Sequence, residues 1–401
     1  MTAAVGRFVL SVVVGSVFAG AGVAAAAPAV QGVTDSEVTF GMAAPFTGPS
    51  KELGRQMKVG LDVAFGLAND AGGIHGRKVK LIALDDGYEP TRTREVVKEL
   101  AEQRKVLGFV GNVGTPTAAV AVPYALERKM LFFGAFTGAS LLRKEPPDRY
   151  VFNYRASYVE EASATVRYLI EVRRFRPDQI AVFTQDDSFG DAGFQGVART
   201  MRQYRKDPAT LLRVYFKRNT VDVLDAVRAV VARGDRIKAV IMVGTYRPAA
   251  RFIEKVRDEN PRMVFTNVSF VGSSALAEEL AQLGPRYAQG AIVTQVVPLP
   301  TSRSTAVLRY HDALAKYGPG EKPDFVSLEG YVAGNVLLEG LRRAGKDLNT
   351  ESLVNALENI RGFDLGLGAP INFSLSEHQG SHKVWGTVLD GSGNYQVLDL
   401  E

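Results

Sequence analysis

Apolar and polar positions along this chain alternate in blocks, short apolar runs being separated mostly by segments of helical length. From Val38 the order is a short apolar strand, a Gly/Pro turn carrying a hydroxyl, an amphipathic helix, a double-glycine stop and a second apolar strand, which is one βαβ unit. Within the helix, Met57, Gly60, Leu61, Ala64, Leu67 and Ala68 fall at i, i+3, i+4, i+7 spacing, which predicts one face toward a sheet. Gly72 and Gly73 stop it. Further strands are predicted at Val79 to Leu84, Val106 to Val110, Met130 to Phe133, Ile180 to Phe183, Leu211 to Phe216, Ala239 to Val243, Met263 to Thr266 and Ala291 to Val297. This alternation predicts a doubly wound α/β architecture. One set of strands ends near Phe133 and a fresh set begins at Ile180, so two lobes are expected and not one long sheet.

In an open parallel sheet a ligand sits beyond the carboxyl ends of the strands, which directs attention to the turns there. The first is Pro45-Phe46-Thr47-Gly48-Pro49. The second, Gly111 to Ala119, follows an apolar strand, and Thr115 before Pro116 reads as an N-cap with proline at the first helical position. Free amides at such a helix mouth favour an anion, including a ligand carboxylate. An ordinary capped helix has the same local sequence.

With 401 residues, 46% hydrophobic and 23% charged, the chain is long enough for two cores. A net charge of +5, without a basic run or an aromatic-basic stripe, excludes nucleic acid as an expected partner. At the N-terminus, Arg7, the apolar run Phe8 to Phe18 and Ala24-Ala25-Ala26 have the order of a signal peptide, so residues 1–26 are expected to be removed. There is no cysteine. An exported chain of this kind cannot rely on disulfides, nor be held by lipid on a cysteine, and a periplasm is the expected compartment.

The opening run closely resembles that of the branched-chain amino-acid (Leu/Ile/Val) binding proteins, the type I periplasmic receptors of ABC importers. The resemblance rests on the turn Thr47, Gly48, Pro49 and the helix exit Asn69 to Gly76, at their shared spacing, and continues more weakly to about Trp385. It implies two doubly wound lobes joined by a hinge that the chain crosses three times: near Arg149 to Ser157, near Gly290 to Val293, and near His382 to Trp385. The implied division is 27–154 plus 292–380 for lobe 1, and 155–291 plus 381–401 for lobe 2. The implied partners are a small carboxylate-bearing ligand and the permease subunits of the inner membrane, with the receptor a monomer and no cofactor.

The same resemblance implies site residues. Thr115 would hold the ligand carboxylate by its hydroxyl, joined by Ala135, Phe136 and Thr137 in the turn Gly134 to Gly138. Other positions depart from the family. Leu53 stands where an aromatic is usual, and Phe189 stands where lobe 2 supplies a tyrosine, keeping a stacking face without the phenolic donor, or else packing in a core. Ser269 falls where amino-acid receptors carry the acid that pairs with the ligand ammonium, and no Asp or Glu lies between Asn260 and Ala277. A buried ammonium without its partner costs about 3 to 5 kcal/mol, which argues against an ordinary α-amino acid. Tyr246 is a further ligand-facing position, and Arg247 beside it is either a second carboxylate clamp or a surface residue at a helix start.

Catalytic chemistry finds little support. Gly108 to Gly114 does not match the dinucleotide fingerprint, and His378 and His382 lack the acid of a metalloprotease helix. Asp85-Asp86 and Asp186-Asp187 end strands, where carboxylates cap backbone amides. A binding protein that closes on its ligand is therefore expected, with a sensor of the same fold reporting to a regulatory partner, or more remotely an α/β enzyme, as the alternatives.

Overall fold

The computed structural model describes residues 1–6 and 29–401, so the apolar run of the expected signal segment and its cleavage site lie outside the described residues. Two sheets organise the remainder. The first contains β1 (Glu37–Ala44), β2 (Lys78–Asp85), β3 (Gly108–Val110), β4 (Leu131–Phe133) and β5 (Val151–Phe152), all parallel, in the order β2-β1-β3-β4-β5. The second contains β6 (Ile180–Gln185), β7 (Arg213–Phe216), β8 (Ala239–Val243), β9 (Val264–Asn267) and β10 (Ile292–Gln295), whose order β7-β6-β8-β9-β10 repeats that of the first. An antiparallel hairpin, β11 (Trp385–Leu389) and β12 (Tyr395–Leu398), extends its β10 edge. The hairpin and β5 had no counterpart among the predicted strands, because β5 is only two residues long and β12 is largely exposed.

Central strands such as β8 are buried on both faces, as a parallel sheet covered by helices requires. Lobe 1 is covered by α1 (Lys51–Asp70), α2 (Pro90–Glu102), α3 (Thr115–Glu127), α10 (Thr305–Tyr317), α11 (Phe325–Ala344) and α12 (Thr350–Glu358). Lobe 2 carries α4 (Tyr158–Arg167), α5 (Ser188–Gln203), α6 (Leu224–Val231), α7 (Tyr246–Glu259), α8 (Ser273–Leu283) and α9 (Pro285–Ala288). The predicted face of α1 is buried except for Leu67, which is 42% exposed. The helix approaches α11 through glycine: a Cβ at Gly60 would lie 2.0 Å from the Ser327 carbonyl oxygen, and one at Gly330 would lie 2.5 Å from that of Met57. Only hydrogen fits between these backbones.

The chain crosses between the lobes after β5, after β10 and before β11. The return expected near Gly290 to Val293, with lobe 1 resuming at 292, needs correcting: β10 pairs with β9 and β11 in the second sheet, so the crossing follows Gln295. The three segments touch. Asn153 bridges Gln379 in parallel fashion, its amide donating to the His378 carbonyl at 2.8 Å, and the Tyr154 hydroxyl donates to the Val296 carbonyl at 2.8 Å.

Candidate functional site

The site builds up from the carboxyl ends of β3 and β4. Beyond β3 the chain turns at Gly114, whose φ of 106° suits glycine, and a Cβ there would come within 2.3 Å of the Tyr88 ring. Gly114, and not Thr115, is the residue before the helix: α3 begins at Thr115, one position earlier than the proline placement suggested. A parallel bridge between Val113 and Phe136 then carries the β3–β4 register past the strand ends. It brings the Thr115 and Thr137 hydroxyls to 2.7 Å of each other, both side chains almost fully buried. Ala135 and Phe136 are buried in the same turn. The switch point of a 2-1-3-4-5 sheet, where connections leave in opposite directions, lies next to this pair, between β1 and β3.

Lobe 2 meets this turn with aromatic rings. Phe136 stacks on Phe270 with ring centres 5.1 Å apart, Phe270 packs at 4.6 Å from Phe189, and Tyr158 lies 5.4 Å from Phe189. Tyr88, from the turn after β2, closes the cluster at 6.1 Å from Phe270. All five side chains are essentially without exposure, so the lobes are closed and their apolar cores run together through the cleft. A second contact crosses at Leu53, whose side chain lies against Gly272 with Tyr246 beside it.

The other expected residues have definite neighbours. Ser269 opens a short turn after β9, where its amide and hydroxyl both donate to Glu161, at 2.8 and 3.0 Å. Arg155 donates to the same Ser269 hydroxyl and, at 3.0 Å, to Glu161. Thr294 completes the set with a 2.6 Å bond to Glu161. Arg247 is 41% exposed and engaged by Glu279 at 3.2 Å. Thr47 is exposed and spends its hydroxyl on Asp85 at 2.6 Å, so the Thr-Gly-Pro turn is anchored and does not itself supply a buried donor.

Asp85 accepts from the amides of Phe46 and Gly87 at 2.8 and 3.0 Å, and although burial opposes it, the Thr47 hydroxyl and these amides hold its carboxyl down at about 2. Asp86 is pushed up to about 6 by burial, against the Tyr88 amide and the Thr93 hydroxyl that bond it. Asp187 caps α5 by accepting from the Phe189 amide at 3.0 Å. His378 and His382 do not converge: the first stacks on Phe152 at 3.8 Å, and the second bonds Glu160 at 2.6 Å.

Tyr88, Arg155, Tyr158, Glu161 and Phe270 were not singled out from the sequence. Phe270 lies one residue beyond Ser269, and it is Phe270 that carries its ring into the cleft. Tyr88 follows the strand-ending Asp86-Gly87, a turn signal that marks a ligand-facing end. Arg155 sits within the segment expected to cross the hinge, where a buried cation has no pattern to betray it.

Two doubly wound lobes, three adjacent crossings and a closed cleft with paired hydroxyls at its floor define a two-lobed binding protein. A family model described as periplasmic binding protein matches residues 37–394, and the chain belongs to that family, in its type I, branched-chain amino-acid branch. It is 26% identical to a Leu/Ile/Val-binding protein of Rhizobium johnstonii, over 83% of this chain and 86% of that one. Among solved structures, a possible leucine/isoleucine/valine-binding protein from Rhodopirellula baltica is 41% identical, covering 94% of this chain and 98% of its own, with a TM-score of 0.86. A branched-chain amino-acid ABC transporter protein from Thermus thermophilus with bound valine shares the fold at 18% identity and a TM-score of 0.77, covering 92% and 96%. These relatives are solute-binding proteins.

Proposed function

We propose that the chain is exported, its signal segment cleaved near Ala26, and works in the periplasm as the substrate-binding protein of an ABC importer. It closes its two lobes around a small carboxylate-bearing solute, amino-acid-like, aromatic or keto acid, and a permease that prefers the closed form reads the ligand through that closure. The protein acts as a monomer and catalyses no reaction. Thr115, Ala135, Phe136 and Thr137 hold the carboxylate from lobe 1; Phe189, Tyr246 and Ser269, with Leu53 reaching across, shape the rest.

The observation that supports this reading is the pair of buried hydroxyls of Thr115 and Thr137 at 2.7 Å, beside the first turn of α3. Two hydroxyls meeting at a helix N-terminus form a seat for an anion. Importers and two-lobed sensors differ in partner and not in this seat, and the named relatives favour transport.

The test is calorimetry of the purified chain and of Thr137→Val against small carboxylates. Losing one hydrogen bond to a charged group weakens binding by about 1.5 to 3 kcal/mol, or about 10- to 150-fold, with folding intact. Equal affinity in the two proteins would remove Thr137 from the site.

A further inference from the structure

The inner wall of the cleft holds donors that the protein does not use. Arg155 leaves lobe 1 at the first crossing and its side chain is 1% exposed. The guanidinium lies 5.1 Å from the centre of the Phe136 ring and 5.7 Å from that of Tyr158, so it borders the same aromatic cluster that joins the lobes. One of its nitrogens, Nη2, bonds Glu161 and Ser269. Nε has no partner, and Nη1 stands 3.4 Å from Glu329 without an aligned hydrogen bond. Tyr158 is fully buried, and its hydroxyl turns toward Thr137 without an aligned hydrogen bond.

Buried donors left unpaired cost about 1 to 3 kcal/mol each, more when charged, and are kept where something else pairs with them. Of these, the Tyr158 hydroxyl is turned toward Thr137, and the Arg155 guanidinium lies over the Phe136 ring of the same turn. What they require is an acceptor, and preferably an anionic one.

The acid side of the cleft is in the opposite condition. A carboxylate has about four acceptor positions. Glu161 receives Arg155 and the Ser269 hydroxyl on Oε1, and the Ser269 amide and Thr294 hydroxyl on Oε2. It offers no seat to a ligand ammonium. Ser269, in the position expected to replace the ammonium-binding acid, is wired to Glu161 and to Arg155 instead.

Building on the carboxylate reading above, we propose that Arg155 and Tyr158 are specificity-determining residues that pair with the ligand's carboxylate alongside Thr115 and Thr137. The site thereby selects organic acids without an α-amino group. Their body is apolar or aromatic, because the surfaces facing these donors are the rings of Phe136, Phe189 and Phe270. The guanidinium supplies a fork of donors that single hydroxyls and amides lack.

The experiment is calorimetry and thermal melting of the full chain with two matched sets: 3-phenylpropanoate, its primary amide and L-phenylalanine; 4-methylpentanoate, its primary amide and L-leucine. The expected result is that an acid binds at least tenfold tighter than its amide and than the amino acid. Tyr158→Phe, which keeps the ring and the buried ions, should weaken the acid about tenfold and leave the amide unchanged. Arg155→Lys, which keeps the charge but not the fork, should narrow the preference of acid over amide; if that variant does not fold, Tyr158→Phe decides alone. Tighter binding of the amino acids, or no effect of Tyr158→Phe on the acid, overturns the assignment and leaves the carboxylate reading standing. Failure of acids and amino acids alike to bind at millimolar concentration overturns the carboxylate reading itself.

Discussion

The two ends of the cleft are both closed by arginine, and they are built on opposite principles. At the hinge end, Arg155 and Glu161 are 1% and 0% exposed and only six residues apart in the chain, and Glu329 on α11 is 4% exposed. At the mouth, Arg218 of lobe 2 reaches Glu89 of lobe 1 at 3.0 Å while also holding Asp187 of its own lobe at 2.8 Å. Asn219 adds bonds to Glu89 and to the Gly87 carbonyl at 2.6 and 3.0 Å. Here Arg218 and Glu89 are 23% and 39% exposed. A buried ion pair is costly to break, whereas a wet one is worth about 1 kcal/mol or less. A hinge that bends needs its permanent charges buried near the axis, where partners move least, and its reversible ones at the mouth, where each opening must separate them.

The largest effect expected from breaking this arrangement is at the hinge. Arg155→Met leaves Glu161 and Glu329 without their cation and should destabilise the ligand-free protein by about 3 to 5 kcal/mol in denaturant titration. Adding Glu161→Gln should recover part of that loss. A change under about 1 kcal/mol would show that the buried group has water or another partner to turn to.

At the mouth, Arg218→Ala should leave ligand-free stability within about 0.5 kcal/mol of the parent while weakening ligand binding by about 1 kcal/mol, or roughly fivefold, since the pair forms only on closure. Raising the salt concentration should shrink the difference between the two proteins. Loss of stability without loss of affinity would place this pair among the structural contacts.

A smaller effect sharpens the comparison through pH. Burial pushes the Glu329 carboxyl up to about 7, against the pull of Arg155. Between the ordinary glutamate value, about 4.5, and 7 the unfolded chain has lost a proton that the folded one keeps, so this residue's contribution to stability falls as pH rises through that window. Asp86, raised to about 6 by burial, acts in the same direction from its own ordinary value upward. Glu329→Gln should therefore flatten the decline of the denaturation midpoint between pH 5 and 7 and leave the Asp86 share. An unchanged slope would count against Glu329 as its source.

The smallest effect belongs to the third crossing. His382 bonds Glu160, which raises the histidine; Glu160, despite its burial, is held down at about 2 by His382 and Ser157. The histidine's contribution is complete below about 6.5 and fades as pH rises through its raised folded value. Its side chain is 59% exposed, so His382→Asn should cost within about 0.5 kcal/mol at pH 6 and less at pH 9, read by thermal melting.

Much of the fold was legible in the order of residues. Apolar runs became strands because a parallel sheet buries both faces, and the double glycine after α1 marked its end because φ there is 98° and 75°. Thr115 was visible as the residue before the proline that opens a helix, whereas Thr137 was named only through the family resemblance. The second crossing was set too early because Ile292–Gln295 reads as an apolar strand whichever sheet it joins, and only pairing with β9 and β11 assigns it to lobe 2.

What the sequence determined by itself, then, is everything that periodicity and local backbone chemistry control: the βαβ units, the turns at the strand ends, the family resemblance carried by those turns and the lack of an acid near Ser269. What only the tertiary structure decided is the company each of these residues keeps. Arg247, a candidate clamp by type, is drawn off by Glu279, and Ser269 is claimed by Glu161 from 108 residues away. Arg155 keeps two nitrogens free of hydrogen bonds because Phe136 and Tyr158 enclose it and Glu161 satisfies only one of the three. Charge and hydrogen-bonding capacity belong to a residue, but whether that capacity remains available to a ligand depends on neighbours that only folding brings together.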